Sequence, residues 1–374
     1  MTFRRRASAR LPLLAAVAAL GVASPACGSA RPSAGPVPSG AGTPVRLPRG
    51  APATHDIRPG PGVTRSRMLS SWLPALAGTP GDTPVFVLEG NEPGGTLVVV
   101  GGTHENEIAG VLAATSLVET ARVRRGRLVV VPRANNSAVT LRDDERPVPE
   151  WISVDTPSGP RRFRFGARLT SPRHQGAPDP AEVKLPGAAE SLPGKEARNL
   201  DRAYPGLADG PLTQRVAFAI VELLRSEEAD LAFDLHEASP ESRLAWMIVA
   251  HPRALDVAAA AVLDLDAAGL PMKLEVSDEG FRGLSHREWG DATNALAFLV
   301  ETPNPSQAKG TPGIDPVGPA SYPLATRVAA QLRTVLAVVA AWSAEAPAER
   351  RIELELDSGL DPPGATGLAG FLRP

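Results

Sequence analysis

Short runs of aliphatic and β-branched residues alternate with longer amphipathic stretches through the middle of the chain. Residues 85–88, 96–100 and 127–131 are continuous apolar runs, the pattern of strands that are buried on both faces. Residues 105–119 carry apolar positions at helical spacing, which predicts a helix between the second and third strands. The turn-forming residues 91–95 predict a hairpin between the first two strands.

The same alternation continues through the second half of the chain and predicts one α/β domain over residues 63–346. We expect a mixed, mostly parallel sheet flanked by helices. The further strands are predicted at residues 231–235, 244–250, 273–276, 295–300 and 351–356, the last as an edge strand, and the further helices at 211–225, 254–268 and 321–344.

Two regions lack this periodicity. Residues 141–196 are rich in proline, glycine and scattered charge, and they are predicted to form a long insertion. Such an insertion is either a functional rim or lid, or a mobile segment without a role in the site. Within residues 347–374, the segment that follows the edge strand is predicted to be a disordered tail.

The amino terminus has the pattern of a secretion signal. In residues 1–26, four arginines precede or flank an apolar run, residues 11–22, that is too short for a permanent membrane span. Residues 24–27, Ser-Pro-Ala-Cys, resemble a bacterial lipoprotein box, so lipidation of Cys27 and plain cleavage nearby both stay open. Residues 27–62 read as a linker rich in proline, glycine and alanine. We therefore expect an exported protein, lipid-anchored in the bacterial cell envelope or secreted.

The composition excludes a nucleic-acid partner. The net charge is −2 over 374 residues, and loss of the four leader arginines would make it −6. A nucleic-acid-binding domain needs a basic surface instead. The single cysteine cannot form an internal disulfide bond. No pattern in the sequence indicates an oligomeric state.

Polar residues able to bind a metal follow three of the predicted strands. His104 and Glu107 come after the strand at 96–100, His236 follows 231–235 directly, and Glu301 follows 295–300. Because ligands gather at the carboxyl ends of strands in open α/β sheets, we expect these side chains to lie close together. Two histidines and a carboxylate form a common catalytic zinc set, and a further carboxylate can take a proton from water. Taken alone, His104 and Glu107 also fit a turn histidine and a carboxylate in the first turn of a helix.

Four motifs resemble the zinc carboxypeptidase-like hydrolases, most of all the succinylglutamate desuccinylase and aspartoacylase branch. Residues 101–107, Gly-Gly-Thr-His-Glu-Asn-Glu, resemble the family's Gly-Gly-x-His-Gly-x-Glu. Residues 234–236 resemble its Asp-Leu-His, residues 298–301 end where its general-base glutamate ends a strand, and residues 199–206 resemble its Asp-Leu-Asn-Arg-x-Phe-Pro-Gly.

The resemblance implies a fold, a cofactor and residue roles. The fold is the zinc carboxypeptidase-like, or phosphorylase/hydrolase-like, α/β sheet, with one Zn²⁺ per chain held by His104, Glu107 and His236. Glu301 would activate water, and Arg202 would bind a substrate carboxylate or stabilise the oxyanion.

Departures from the motifs and the neighbouring polar residues define further candidates. Glu105 stands at a position that is glycine in the family, and Asp201 stands where asparagine is usual. An ionised aspartate only accepts hydrogen bonds, so it would repel a substrate carboxylate. The candidate substrate-binding residues are Arg202, Asp201, Asn135, Arg142 and His286.

Two functions from different classes fit these observations. The first is a zinc-dependent hydrolase that cleaves an amide bond of a peptide or an N-acyl amino acid, either as a deacylase or as a carboxypeptidase. Its partner would be a small-molecule or peptide substrate. The second is an exported binding protein that keeps the fold but has lost catalysis, an alternative that Glu105 and Asp201 favour.

Overall fold

The computed structural model describes residues 56–142, 148–156, 158–187, 190–310, 315–318, 321–357, 360 and 367–373. The predicted leader with Cys27, and the linker as far as residue 55, lie outside the described residues. Residues 56–62, also assigned to that linker, pack on the folded part. Ile57 is buried, and the Gly60 amide donates a hydrogen bond of 3.1 Å to the Val118 carbonyl.

Nine strands form one mixed sheet at the centre of the protein. The strands of this sheet are β1 (Arg65–Met68), β2 (Pro84–Glu89), β3 (Glu92–Gly101), β4 (Ala121–Val131), β9 (Leu231–Ala238), β10 (Met247–Ala250), β11 (Lys273–Val276), β12 (Leu296–Pro303) and β13 (Glu353–Leu356). Their order is β1-β2-β4-β3-β9-β12-β10-β11, and β13 pairs with β4 outside this path. The four neighbours β4, β3, β9 and β12 are mutually parallel, which agrees with their continuous apolar sequences. The fold class expected from the sequence is confirmed.

Helices cover both faces of the sheet, and strand alternation decides which side chains each face receives. The described helices are α1 (Ile108–Thr120), α2 (Asn136–Val139), α3 (Leu212–Ser226), α4 (Leu255–Ala267), α5 (Ser285–Ala292) and α6 (Leu324–Glu345). In β3, Leu97 and Val99 pack on one face, while Val98 and Val100 pack on the other. The first face carries α1, α4 and α6, and the second carries α3 and Trp289 of α5.

Helix α6 is the one described helix that is long and apolar enough to cross a membrane. Of its most apolar window, 61% is buried inside the protein. Because Val328, Leu332 and Val335 belong to the core under the sheet, this helix has the character of a core helix.

The hairpin predicted at residues 91–95 is wrong. Strand β4 lies between β2 and β3, antiparallel to the first and parallel to the second. The glycines of the supposed turn serve a different purpose, because a Cβ at Gly94 or Gly95 would lie 2.3 Å from the carbonyl oxygen of Arg351 or Arg350. They allow the chain before β13 to approach β3 closely.

The region 141–196 is more ordered than its composition predicts. It contains two small antiparallel pairs, formed by β5 (Trp151–Thr156) with β6 (Gly159–Arg164) and by β7 (Glu182–Val183) with β8 (Leu192–Pro193). The predicted disordered tail is also partly ordered, because Leu368–Phe371 forms a 3-10 turn and Phe371 is buried.

A buried ion pair ties these peripheral segments to the core. Arg161 of β6 donates two hydrogen bonds of 2.7 Å to the Glu119 carboxylate in α1, and both side chains are fully buried. Arg161 also donates to the carbonyl oxygens of Asp56 and Arg373. The start of the described chain, the insertion and the tail therefore meet at Glu119.

We expect Arg161→Ala to destabilise the protein by about 3–5 kcal/mol, because it leaves the Glu119 carboxylate buried without its partner. Arg162→Ala is the matched control, since Arg162 is exposed on the same strand. Its cost should stay near 1 kcal/mol or below. Urea unfolding measures both free energies, and equal losses for the two variants would contradict this role for Arg161.

Candidate active site

The loop between β3 and α1 brings His104 and Glu107 to the end of β9. Gly102 has a positive φ of 70°, and a Cβ there would lie 2.5 Å from Glu105 Oε1. Gly110 lets α1 approach β9, since a Cβ at that position would lie 2.3 Å from the Leu235 carbonyl oxygen. Glycine at these two positions therefore permits both the loop conformation and the close packing of the helix.

His104, Glu107 and His236 form one buried cluster. His104 Nδ1 lies 2.8 Å from Glu107 Oε1, and His236 Nδ1 lies 2.9 Å from Glu107 Oε2. One ligand atom from each residue lies within 4.8 Å of the other two. The three predicted metal ligands thus meet at the carboxyl ends of the central strands.

The hydrogen bonds of His104 test whether a cation fits this cluster. Asn199 Oδ1 accepts from the Asp201 amide and lies 2.9 Å from His104 Nε2, while Asn199 Nδ2 donates to Glu196. This orientation assigns the proton of a neutral His104 ring to Nε2, so Nδ1 carries a lone pair. Two acceptors, His104 Nδ1 and Glu107 Oε1, then face each other at 2.8 Å. A metal ion between them satisfies both, and the donor set of two imidazoles and one carboxylate fits zinc.

The outer nitrogens of both histidines face polar partners, as in metal sites whose ligands are held in orientation. His236 Nε2 lies 2.9 Å from Asp234 Oδ2, and Asp234 Oδ1 accepts from the Thr103 hydroxyl at 2.8 Å. Asp234, for which the sequence indicates no role, therefore orients His236. A second cluster, formed by Asp201, Asp234 and His236, could also hold an ion. It contains one imidazole, whereas the first cluster contains two.

The charges around the cluster shift the pKa values of all three residues. Burial and the positive charge of Arg168 lower the pKa of His104. Burial alone would lower the pKa of His236, but Asp234 and Glu107 raise it well above its usual value. Burial would raise the pKa of Glu107, but the two histidines hold it well below its usual range. Glu107 is therefore ionised and available as a ligand.

Glu301 lies beside His236 on the neighbouring strand. The two residues are register partners in β12 and β9, and both side chains leave the same face of the sheet. Glu301 is buried, and its Oε2 accepts no hydrogen bond from the described residues. Burial and the charge of Glu107 raise its pKa well above the usual value.

Glu237 is directed to the opposite face, as strand alternation predicts. Its carboxylate forms a buried ion pair with Arg327 of α6 and accepts a hydrogen bond of 3.0 Å from the Ala109 amide at the start of α1. Glu237 therefore joins two helices to the sheet and is structural.

A pocket of about 440 Å³ opens over the cluster. Besides the three ligands and Glu301, its lining includes Arg168, Asp201, Arg202 and His286. Three of the five candidate substrate-binding residues therefore face this space.

Asp201 is held by contacts within the protein. Its Oδ1 accepts from the Ser285 amide at 2.9 Å, and its Oδ2 lies 3.3 Å from Arg202 Nη1. Burial would raise its pKa, but His236 and Arg202 lower it. The aspartate thus caps the first turn of α5, a contact to a backbone donor that a carboxylate makes well.

His286, a candidate substrate-binding residue, belongs to that first turn of α5. Its Nδ1 lies 2.8 Å from Ser277 Oγ. Burial lowers its pKa to about 4, so the ring is neutral at neutral pH.

Asn135 and Arg142, the other two candidate substrate-binding residues, do not line the pocket. Asn135 Oδ1 caps α2 by accepting from the Ala138 amide, and it also accepts from Thr170 Oγ1. Arg142 is exposed, and neither residue belongs to the pocket lining. The chain turns away from the pocket after β4, which the spacing of polar residues alone does not reveal.

Two features of the site were missed from the sequence. Arg168 reaches the pocket from the aperiodic region, where only its charge could have drawn attention. Glu105 forms a fully buried ion pair with Arg133, and burial raises the Glu105 pKa to about 7. Glu105, which departs from the motif, is therefore buried in an ion pair within the loop that carries the ligands.

Comparisons with known proteins found several similar solved structures. No family model and no curated protein matches the chain. It is similar to a succinylglutamate desuccinylase from Silicibacter sp. TM1040, with 20% identity, a TM-score of 0.42 and coverage of 69% of this chain and 59% of that one. It is also similar to the cell shape determinant protein Csd4 from Helicobacter pylori with a bound tripeptide, with 13% identity, a TM-score of 0.46 and coverage of 74% and 57%.

A third similar structure is the product-bound ectoine utilization protein EutE (DoeB) from Ruegeria pomeroyi, with 19% identity, a TM-score of 0.41 and coverage of 68% and 59%. In each case the chain spans less than two thirds of the other protein's length. The solved structures similar to this chain include members of the succinylglutamate desuccinylase/aspartoacylase family, the family that its motifs resemble.

Proposed function

We propose that the protein is a zinc-dependent hydrolase that cleaves an amide bond of a peptide or an N-acyl amino acid. His104, Glu107 and His236 hold one Zn²⁺ per chain, and Glu301 is the general base. The observation that supports this best is the pair of imidazole Nδ1 atoms facing the Glu107 carboxylate, with a second carboxylate, Glu301, in register beside His236.

Zinc bound there would supply a Lewis acid that lowers the pKa of a water molecule and polarises the scissile carbonyl. Glu301 accepts the proton of the attacking water at Oε2, which has no competing hydrogen bond from the described residues. It then returns a proton to the leaving nitrogen. Burial and the charge of Glu107 both raise the pKa of Glu301. A cation bound to Glu107 offsets the second cause and so favours the ionised form that a base requires.

Two residues that line the pocket could bind the substrate. Arg202 faces the pocket as a donor for the oxyanion or for a substrate carboxylate, and neutral His286 adds a hydrogen-bonding ring. An exported location, expected from residues 1–26, favours peptides and cell-wall fragments over cytosolic N-acyl amino acids. A carboxypeptidase and a deacylase therefore both belong to the proposal.

Elemental analysis combined with a hydrolysis screen tests the proposed function. We expect one zinc per chain in purified protein, and release of amine from N-acyl amino acids, C-terminal peptides or muropeptides. Protein that holds no metal and hydrolyses none of these after zinc is added would instead be a binding protein that keeps the fold. Hydrolysis at a single substrate class would decide between deacylase and carboxypeptidase.

A further inference from the structure

A short turn follows β12 and packs against the loop between β3 and α1. Asn304 begins this turn, the 3-10 segment Pro305–Gln307. The Asn304 side chain is fully buried, and its Oδ1 accepts hydrogen bonds from the Ser306 amide at 3.0 Å and from the Ser306 hydroxyl at 2.7 Å. The Asn304 amide donates to the Ala238 carbonyl at 2.7 Å. Asn304 therefore caps the turn and fixes its start to the end of β9.

The other end of the Asn304 side chain joins the segments that carry the candidate active site. Its Nδ2 donates to the Asn106 carbonyl at 3.1 Å and to Glu237 Oε2 at 3.3 Å. Asn106 lies between the two ligands of the loop, and Glu237 directly follows the third ligand in β9. Asn304 itself follows Glu301 by three positions. One buried side chain thus connects the three segments that hold all four residues of the site.

The partners of Asn304 require an amide at this position. Its Oδ1 faces two donors of Ser306, while its Nδ2 faces a carbonyl and a carboxylate, which accept hydrogen bonds. A carboxylate lacks the donors and an aliphatic side chain lacks both kinds of group, so neither makes all four contacts. A turn cap alone would accept serine, threonine or aspartate equally well. The contact to Asn106 and Glu237 therefore explains the asparagine, and the cap does not.

The same turn also restrains the Glu107 carboxylate. Gln307 Nε2 lies 3.4 Å from Glu107 Oε1 and 3.3 Å from the Glu237 carbonyl oxygen. The Glu237 amide donates to Glu107 Oε2 at 3.0 Å. Each oxygen of Glu107 therefore faces a donor that belongs to β9 or to the turn, which restricts rotation of the carboxylate.

We propose that Asn304 is a positioning residue that, with the turn it begins, holds the loop between β3 and α1 at the place where all three ligands bind one ion. The inference rests on the proposed function and adds a residue outside the motifs of the family resemblance. Asn304 does not line the pocket, so it acts through the Asn106 backbone and through Glu237. Residues that orient metal ligands in this way contribute about 10–100-fold to metal affinity or activity.

Chelator competition for zinc on Asn304→Ser tests this role. Serine keeps an oxygen that can cap the turn. Its hydroxyl lies closer to the backbone than the Asn304 amide nitrogen and does not reach the Asn106 carbonyl. We expect the zinc dissociation constant to rise by about 10–100-fold. The visible absorption spectrum of the cobalt-loaded variant should also differ from that of the parent, because the ligands are no longer held in the same geometry.

Asn136→Ser is the matched control. Asn136 is also a buried asparagine, and its Nδ2 donates to the carbonyl oxygens of Pro80 and Asp82 at 2.9 and 3.2 Å. Its replacement should lower the urea midpoint as Asn304→Ser does, but leave the zinc dissociation constant within about twofold of the parent. Equal zinc affinity in the two variants would make Asn304 a residue of the fold alone and overturn the proposal.

Gln307→Ala keeps the proposal testable if Asn304→Ser does not fold. Gln307 is half-buried, so its replacement leaves the core intact. Its zinc dissociation constant should rise by about two- to tenfold, the effect of losing one neutral hydrogen bond. Unchanged zinc affinity in Gln307→Ala would then overturn the positioning role of the turn. A parent protein that binds no zinc would instead overturn the proposed function, so the two failures are distinguished.

Discussion

Glu301→Gln should keep its zinc and lose turnover by about 10²–10⁴-fold, the usual contribution of a positioned general base. Glutamine preserves the shape of the side chain but cannot take a proton from water. Because Glu301 is not assigned as a ligand, the zinc content should stay at one per chain. Elemental analysis checks the zinc content, and kcat on the best substrate from the screen checks the loss of turnover.

Glu241→Gln provides the comparison. Glu241 is an exposed carboxylate at the pocket mouth and accepts a hydrogen bond from Ser239. We expect its replacement to change kcat by no more than a few-fold. Retained turnover in Glu301→Gln would remove Glu301 from the role of base, and loss of zinc in that variant would show that it acts as a ligand.

His236→Ala should abolish stoichiometric zinc binding and, with it, the hydrolytic activity. The same change should remove the stabilisation that zinc gives to the folded state, which is about 2.7 kcal/mol when free zinc is 100 times its dissociation constant. Wild-type protein should therefore melt at a higher temperature with zinc than without it, and His236→Ala should not. Thermal unfolding with and without added zinc measures this difference.

His174→Ala is a suitable control for the ligand variant. His174 Nδ1 lies 2.9 Å from Ser137 Oγ, and the residue is not part of the ligand cluster. It should keep both the zinc and the zinc-dependent rise in melting temperature. A full thermal shift by zinc in His236→Ala would show that the ion binds elsewhere.

The buried sheet was predictable because its strands are apolar on both faces. Residues 97–100 and 231–233 are apolar on both faces of their strands, so a central position in the sheet follows from the sequence. The polar residue that ends each run then had to lie at the carboxyl edge. His104, Glu107, His236 and Glu301 meet there because strand direction and register leave little freedom.

Residues whose partners are distant in the chain could not be predicted in this way. Glu105 is explained by Arg133, 28 positions away, and Asp201 by the Ser285 amide, 84 positions away. The hairpin at Gly94 and Gly95 was predicted from the local turn preference of glycine. In the structure these two positions need glycine because the backbone of Arg350 and Arg351 lies against them. Arg168 belongs to a segment held by backbone hydrogen bonds, which impose no periodicity on the sequence.

The contacts of Asp56, Arg161 and Arg373 around Glu119 determine how far the start of the described chain lies from the pocket. Helix α1 begins at the site beside Glu107 and ends near Glu119, about 18 Å further along its axis at 1.5 Å per residue. The start of the described chain therefore lies near the end of α1 that is further from the site. A bulky label attached at this end of α1, for example at residue 58, should therefore leave access of substrates to the pocket unchanged.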